Sequence, residues 1–169
     1  MNPDVWLSRN AIGFDCLSND EKSAILHFTL LWGLFEHKLL ECKGSSRKIC
    51  ELVKTWETRG ILNFGKFTES LNHFKSRYYC HGELTGYFKG LNLRSNDEPA
   101  LVENVVSGKN TCEADKISAL LIIIYRLRNN LFHGEKWGYE IQGQLDNFIH
   151  ANQALMTALE MNNSTSRGD

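Results

Sequence analysis

The ten residues 128–137, RNNLFHGEKW, combine side chains that bind phosphate with one that transfers protons. Arg128 can hold two phosphate oxygens at once, because a guanidinium presents parallel N–H donors. His133 follows five residues later, and histidine changes its charge near neutral pH, so it can serve as a general acid or base. Asn129 offers an amide that can orient either group. Together these residue types satisfy the needs of metal-free phosphodiester chemistry.

The residues around this set could hold a substrate. Lys136 adds a second cation, and Trp137 offers a flat face on which an unstacked base could lie. Asn130 is a weak helix former placed where better ones would serve. We predict substrate-binding roles for a group of four polar or aromatic residues: Lys136, Trp137, Asn130 and Arg126.

The element that must position this chemistry is a long helix, predicted from about Cys112 to Phe132. Its core stripe, at 100° per residue, consists of aliphatic side chains: Ile117, Leu120, Leu121, Ile124, Leu127 and Leu131. Arg128 falls inside that stripe, whereas Arg126 falls outside it, on the far face. An arginine on an apolar face needs a partner, since an unpaired buried charge is very costly.

An earlier helix supplies a candidate partner. Its apolar stripe contains Ile25, Phe28, Trp32, Phe35 and Leu39, and Glu36 lies within it. Each of the two core helices thus carries one charged residue in its apolar stripe, Glu36 on one and Arg128 on the other. Because the charges are opposite, we predict that the two helices meet at these residues. The pair could support catalysis, form a purely structural ion pair, or lie at the stripe edge with both side chains reaching water.

His133 also has two readings. Gly134 follows it at once, and glycine commonly marks the position just past a helix end. A histidine in the last turn is often only a cap that the helix dipole favours. Five residues span about 7.5 Å of helix axis, so Arg128 could instead share one phosphate with His133.

Helical periodicity dominates the rest of the chain and predicts an all-α, antiparallel bundle of about five helices. Ser18 and Glu21 form a capping-box signature for the first helix, which runs to about Cys42 with Gly44 as its stop. The remaining predicted elements are helices over about 47–58, 66–80 and 138–161, a long loop over 82–97 and a short helical segment over 101–106. Residues 1–161 are predicted to form one domain, and residues 162–169 a polar, disordered tail.

Composition narrows the class of protein. The chain has 169 residues and a formal net charge of −1, so no overall basic field attracts nucleic acid, and phosphate binding must be local. Five scattered cysteines without a CxxC pair indicate free thiols in a reducing compartment. No secretion signal or apolar run long enough for a membrane is evident. We therefore expect a cytoplasmic protein without membrane association, metal or cofactor.

The stretch RNNLFHG resembles the arginine, four-to-six residues, histidine signature of HEPN domains. The resemblance includes the polar residue after the arginine, the glycine after the histidine, and the position at the end of an apolar helix that one more amphipathic helix follows. The segment LLWGLFEHKL, with its central acidic residue, is also similar to the first helix of many such domains. The likeness in helical layout covers most of the chain.

The resemblance implies a helical bundle that dimerises, with two motifs in one cleft, and that cleaves RNA without a metal in toxin–antitoxin or phage-defence systems. Arg128 would then stabilise the scissile phosphate, His133 would act as acid or base, Asn129 would orient them, and Glu36 would support them. Products would carry a 2′,3′-cyclic phosphate, and a cognate antitoxin or regulatory protein could bind. The alternative is a catalytically inactive HEPN module that binds RNA, a nucleotide or a partner protein.

The first predicted helix is apolar on more than one face. Leu26, Leu30 and Leu34 form a second stripe beside the core stripe. A helix of this kind is either central in its bundle or shared with a partner. This pattern favours a homodimer.

Overall fold

The computed structural model describes residues 2–132 and 142–163, and this part of the chain is predominantly α-helical, as predicted. The helices are α1 (Pro3–Asn10), α2 (Asn19–Leu39), α3 (Ser46–Thr58), α4 (Thr68–Tyr78), α5 (Gly86–Lys89), α6 (Pro99–Val106), α7 (Glu113–Phe132) and α8 (Leu145–Asn163). Two 3-10 turns, Phe14–Cys16 and Phe64–Phe67, precede α2 and α4. None of the described helices is long and apolar enough to cross a membrane.

The start of α2 confirms the predicted capping box. The Ser18 hydroxyl accepts from the Glu21 backbone N–H, and the Glu21 carboxylate accepts from the Ser18 backbone N–H. Glu21 also accepts from the backbone N–H of Gly143, just before α8, so the cap ties the two helices together at this end. α2 and α8 form the most extensive helix pair of the described fold.

Some helix bounds differ from the prediction. α1 was not predicted, although Asn2 caps it and Pro3 occupies its first turn, which is a recognised start signal. α8 begins at Leu145 rather than near residue 138, because Gly143 has φ +67° in a turn that directly precedes it. α8 also continues to Asn163, into the segment predicted as a tail.

The predicted loop over 82–97 contains structure of its own. β1 (Tyr79–Cys80) pairs antiparallel with β2 (Glu83–Leu84) around a two-residue turn. His81 and Gly82 both have positive φ, +51° and +85°, which matches the twist that such short hairpins require. The hairpin ends the predicted third helix at Tyr78 instead of Cys80, and α5 follows it.

α7 is the central helix of the core. The whole predicted stripe is buried, but so are residues on the opposite side, including Ile122 and Ile123. α3 and α6 both pack against α7, so it has no broad solvent-facing side. The far face of α7, on which Arg126 was expected to lie outside the stripe, is therefore covered as well, and Arg126 is only 2% exposed.

A buried ion pair compensates the charge of Arg126. Its Nη1 lies 3.2 Å from Oδ2 of Asp97, and its Nε donates to the carbonyl of Leu91 at 3.1 Å. Asp97 also accepts from the Ser46 hydroxyl at the start of α3 and from the backbone N–H of Arg94. This network fastens the segment 91–97 across α7 and joins it to α3.

A polar cluster lies where α4 packs against α8. The rings of His73 and His150 stack with their centroids 4.3 Å apart, and Nε2 of His73 lies 2.8 Å from Oδ1 of Asn147. Burial lowers the pKa of His73, the His150 ring and Arg77 lower it further, and the Asn147 hydrogen bond and Asp146 oppose the shift.

This cluster predicts a pH dependence of stability. The folded-state pKa of His73 lies below its ordinary value of 6.5, so between the two values the unfolded chain binds more protons than the folded one. Stability is therefore full above about pH 6.5 and falls as the pH drops through the folded pKa. Urea denaturation from about pH 8 to about pH 5 should show the midpoint falling, and His73→Gln should flatten that fall. An unchanged slope in His73→Gln would assign the pH dependence to other groups.

Candidate functional site

Arg128 lies in the last turns of α7, at the surface end of the core. Its side chain is 31% exposed, in contrast to that of Arg126, two residues earlier on the same helix. Nη1 donates to Oδ1 of Asn129 at 3.0 Å, which fixes one end of the guanidinium. Nε is buried from solvent and has no hydrogen-bond partner among the described residues. The exposed part of the guanidinium is therefore its Nη end, which Asn129 orients.

The predicted meeting of Glu36 with Arg128 is confirmed. Oε2 of Glu36 lies 3.8 Å from Nη2 of Arg128, and the Glu36 side chain is 24% exposed. Because both side chains reach solvent, the pair lies at the edge of the core rather than inside it. This position agrees with the interpretation in which the pair lies at the edge of the apolar stripe and both side chains reach water.

The Glu36 carboxylate has two closer donors than Arg128. The indole Nε1 of Trp32, one helical turn earlier on α2, donates to Oε2 at 3.0 Å. The backbone N–H of Gly44, in the turn after α2, donates to Oε1 at 3.0 Å. Sequence reasoning missed both partners, although Trp32 precedes Glu36 by four residues and therefore shares its face.

Gly44 serves a purpose other than the predicted helix stop. α2 ends at Leu39, and the left-handed positions that follow are Glu41 and Cys42, with φ +54° and +58°. A Cβ on Gly44 would lie 3.2 Å from Cδ of Glu36, 3.3 Å from Cζ2 of Trp32, and closer still to Oε1 of Glu36. Any side chain at this position would force the Glu36 carboxylate to shift, because the backbone approaches it so closely.

Aromatic rings flank the guanidinium. The Cζ of Arg128 lies 5.2 Å from the ring centroid of Phe132 and 6.0 Å from that of Trp32. Phe132 is 54% exposed, and the Trp32 ring in turn contacts Tyr125 on α7. Cations at such distances from ring faces are stabilised by cation–π attraction. The described site therefore presents a half-open cation between two aromatic rings and one carboxylate.

The other predicted site residues on α7 do not join this site. Asn130 is 1% exposed, and its Nδ2 donates to the carbonyls of Gly90 and Leu91. Arg126 reaches the same Leu91 carbonyl and Asp97. Both side chains hold the segment 90–97 on α7, which leaves them no surface for a substrate. The predicted roles of His133, Lys136 and Trp137 concern residues outside the described part of the chain.

Metal-ligating side chains are not grouped in residues 2–132 and 142–163, where no set of three or more His, Cys, Asp or Glu could hold an ion. All five cysteines are free thiols. Comparison of the chain with protein-family models, with curated proteins and with solved structures found no match. The site can therefore be interpreted only from its own chemistry and from the motif.

The two arginines of α7 should differ in what they contribute to stability. Arg126→Met leaves Asp97 buried without its cation, which should lower the free energy of unfolding by about 3–5 kcal/mol. Arg128→Met breaks a partly exposed contact and should cost about 1 kcal/mol or less. Urea denaturation of the two variants at one pH measures the difference. Equal losses would mean that Arg128 is as structural as Arg126.

Proposed function

We propose that the protein is a metal-independent RNA endonuclease of HEPN type, acting in a toxin–antitoxin or phage-defence role in the cytoplasm. The observation that carries this proposal is the state of Arg128, whose guanidinium is partly exposed, oriented by Asn129 and near Glu36. In the sequence it begins the Arg-x4-His pattern that ends at His133. A purely structural arginine would resemble Arg126, with its donors directed at fixed acceptors.

In the proposed reaction the ribose 2′-hydroxyl attacks the adjacent phosphorus. His133 exchanges protons with the reacting oxygens: one proton leaves the 2′-hydroxyl, and one is delivered to the departing 5′-oxygen. The P–O5′ bond breaks, leaving a 2′,3′-cyclic phosphate and a 5′-hydroxyl. Arg128 grips the non-bridging oxygens and stabilises the charge that develops there. Asn129 and Glu36 keep the guanidinium in place.

Lys136 and Trp137 complete the proposed substrate-binding set, as a phosphate contact and a base-stacking surface. Arg126 and Asn130 are left out of it, because both are buried and bonded to the segment 90–97. The net charge of −1 predicts weak, salt-sensitive binding of RNA. An antitoxin or regulatory protein is the further partner that this role implies.

We also propose a homodimer through the outer face of α2. Leu26, Leu30 and Leu34 are 58%, 63% and 42% exposed there, and on α8 Ile149 and Met156 are 39% and 45% exposed. Apolar side chains grouped on one surface favour burial against a partner. Pairing two copies would bring two Arg128 and His133 motifs toward one cleft.

The nuclease proposal predicts the outcome of a cleavage assay with purified protein and labelled RNA. Cleavage should survive EDTA, since the general base is a side chain, and a DNA copy of the substrate should stay intact because it lacks the 2′-hydroxyl. His133→Ala should lower the rate at least about 100-fold. Arg128→Lys should also lose cleavage, because an ammonium group cannot form the bidentate hydrogen bonds of a guanidinium with two phosphate oxygens. Arg59→Lys, an exposed exchange on the turn after α3, is the matched control and should retain full activity.

Two results would contradict this reaction. Activity that persists in His133→Ala, or that requires magnesium, would remove the proposed mechanism. RNA binding without cleavage, abolished by Arg128→Lys, would instead favour the inactive HEPN module.

The dimer proposal predicts a mass of about twice the 19.3 kDa chain by light scattering at micromolar concentration. Leu30→Glu should give a monomer, because a charge would have to be buried in the contact. Leu84→Glu makes the same change at an exposed leucine of the β-hairpin, away from this face, and should leave the mass unchanged. A wild-type monomer would exclude a cleft shared by two motifs.

A further inference from the structure

The Glu36 carboxylate is fixed independently of Arg128. Its two oxygens each accept a hydrogen bond of 3.0 Å, one from the backbone of Gly44 and one from the indole of Trp32. Arg128 is farther away, at 3.8 Å. If the arginine turned toward another anion, both short bonds of Glu36 would remain. The negative charge therefore stays beside any ligand that Arg128 binds.

The close approach of Gly44 reinforces this fixed position. Oε1 lies so close to the Gly44 backbone that a methyl group there would force the carboxylate to shift, and the Trp32 indole donates to the neighbouring oxygen. A carboxylate that served only to neutralise Arg128 would be expected to pair with it at about 2.8 Å, in the two-point geometry that guanidinium and carboxylate prefer. The geometry instead directs its lone pairs to two neutral donors.

A fixed anion near a cation changes which ligands the cation selects. Attraction to Arg128 and repulsion from Glu36 both rise in proportion to the ligand's charge, so they largely offset each other for any anion. The cost of removing water from the ligand rises with the square of its charge. A dianion therefore gains little over a monoanion from the electrostatic field of the site and loses more on desolvation.

We propose that Glu36 is a charge filter, which makes the Arg128 site select singly charged phosphodiesters over doubly charged terminal phosphates and over nucleotides with several phosphate charges. This inference rests on the proposed role of Arg128 in binding phosphate. It assigns to Glu36 a specificity role, distinct from holding the arginine in place. An internal linkage of an RNA chain meets the charge requirement, whereas a chain end with a phosphate does not.

The test compares dimethyl phosphate with methyl phosphate, two probes of nearly equal size. At about pH 8 the first carries one charge and the second close to two, since phosphate monoesters lose their second proton near pH 6. NMR titration would follow the Nε–H resonance of Arg128, assigned by its loss in Arg128→Lys. The wild-type protein should bind methyl phosphate no more tightly than dimethyl phosphate, despite its doubled charge.

Glu36→Gln keeps the shape of the side chain and removes its charge. It should tighten dimethyl phosphate binding about 3- to 10-fold and methyl phosphate binding by about the square of that factor, because electrostatic energy scales with ligand charge. Glu57→Gln is the control: it removes the same charge near the far end of α3, about 16 Å along that helix from Ser46. It should change neither the affinity for dimethyl phosphate nor that for methyl phosphate.

The wild-type ratio of the two affinities decides the proposal even if Glu36→Gln is poorly folded. A wild-type preference for methyl phosphate would overturn the charge filter, as would equal tightening of both probes in Glu36→Gln, weaker binding of either probe by that variant, or no response of Arg128 to either probe. The titration contains no RNA and no cleavage step. A failed nuclease assay would therefore leave this result standing, and a failed titration would leave the nuclease assay to decide the reaction.

Discussion

The buried pair of Arg126 with Asp97 is the interaction on which the candidate site depends. Asp97 binds the guanidinium on α7 and the Ser46 hydroxyl at the start of α3. Gly44 lies two residues before Ser46, so the same network fixes the turn whose backbone N–H holds Glu36. A contact with no access to substrate thereby determines where the carboxylate beside Arg128 can lie.

The two arginines of α7 differ in burial and in the acceptors that their donors reach. Arg126 is buried and directs its donors to a carboxylate and a carbonyl. Arg128, one half-turn further along α7, lies between Phe132 and Trp32 with its side chain 31% exposed. Removing water around a charge is costly, so a side chain that must bind a ligand gains from staying near the surface. Arg128 occupies that intermediate position.

Much of this arrangement could be predicted from periodicity. The stripes of α2 and α7 each contain one charge, which is enough to predict that Glu36 and Arg128 meet. The burial of Arg126 could not be predicted in this way, because its partner Asp97 comes from a segment without periodicity, and because α3 and α6 cover the face that a single-stripe helix would expose. Gly44 was recognised only as a helix stop, since close approach of a backbone to a side chain leaves no repeating signal.

The proposed function requires that Arg128, and not Arg126, is the arginine of α7 that binds phosphate. An NMR titration can follow phosphate binding at both arginines without turnover. The ligand is an RNA oligonucleotide whose cleavable positions carry 2′-deoxyribose, so that no 2′-hydroxyl can attack. The Arg128 Nε–H resonance should shift, while the Arg126 Nε–H resonance stays constant in its bond to Leu91. A shift at Arg126 with none at Arg128, or no response from either, would contradict the account.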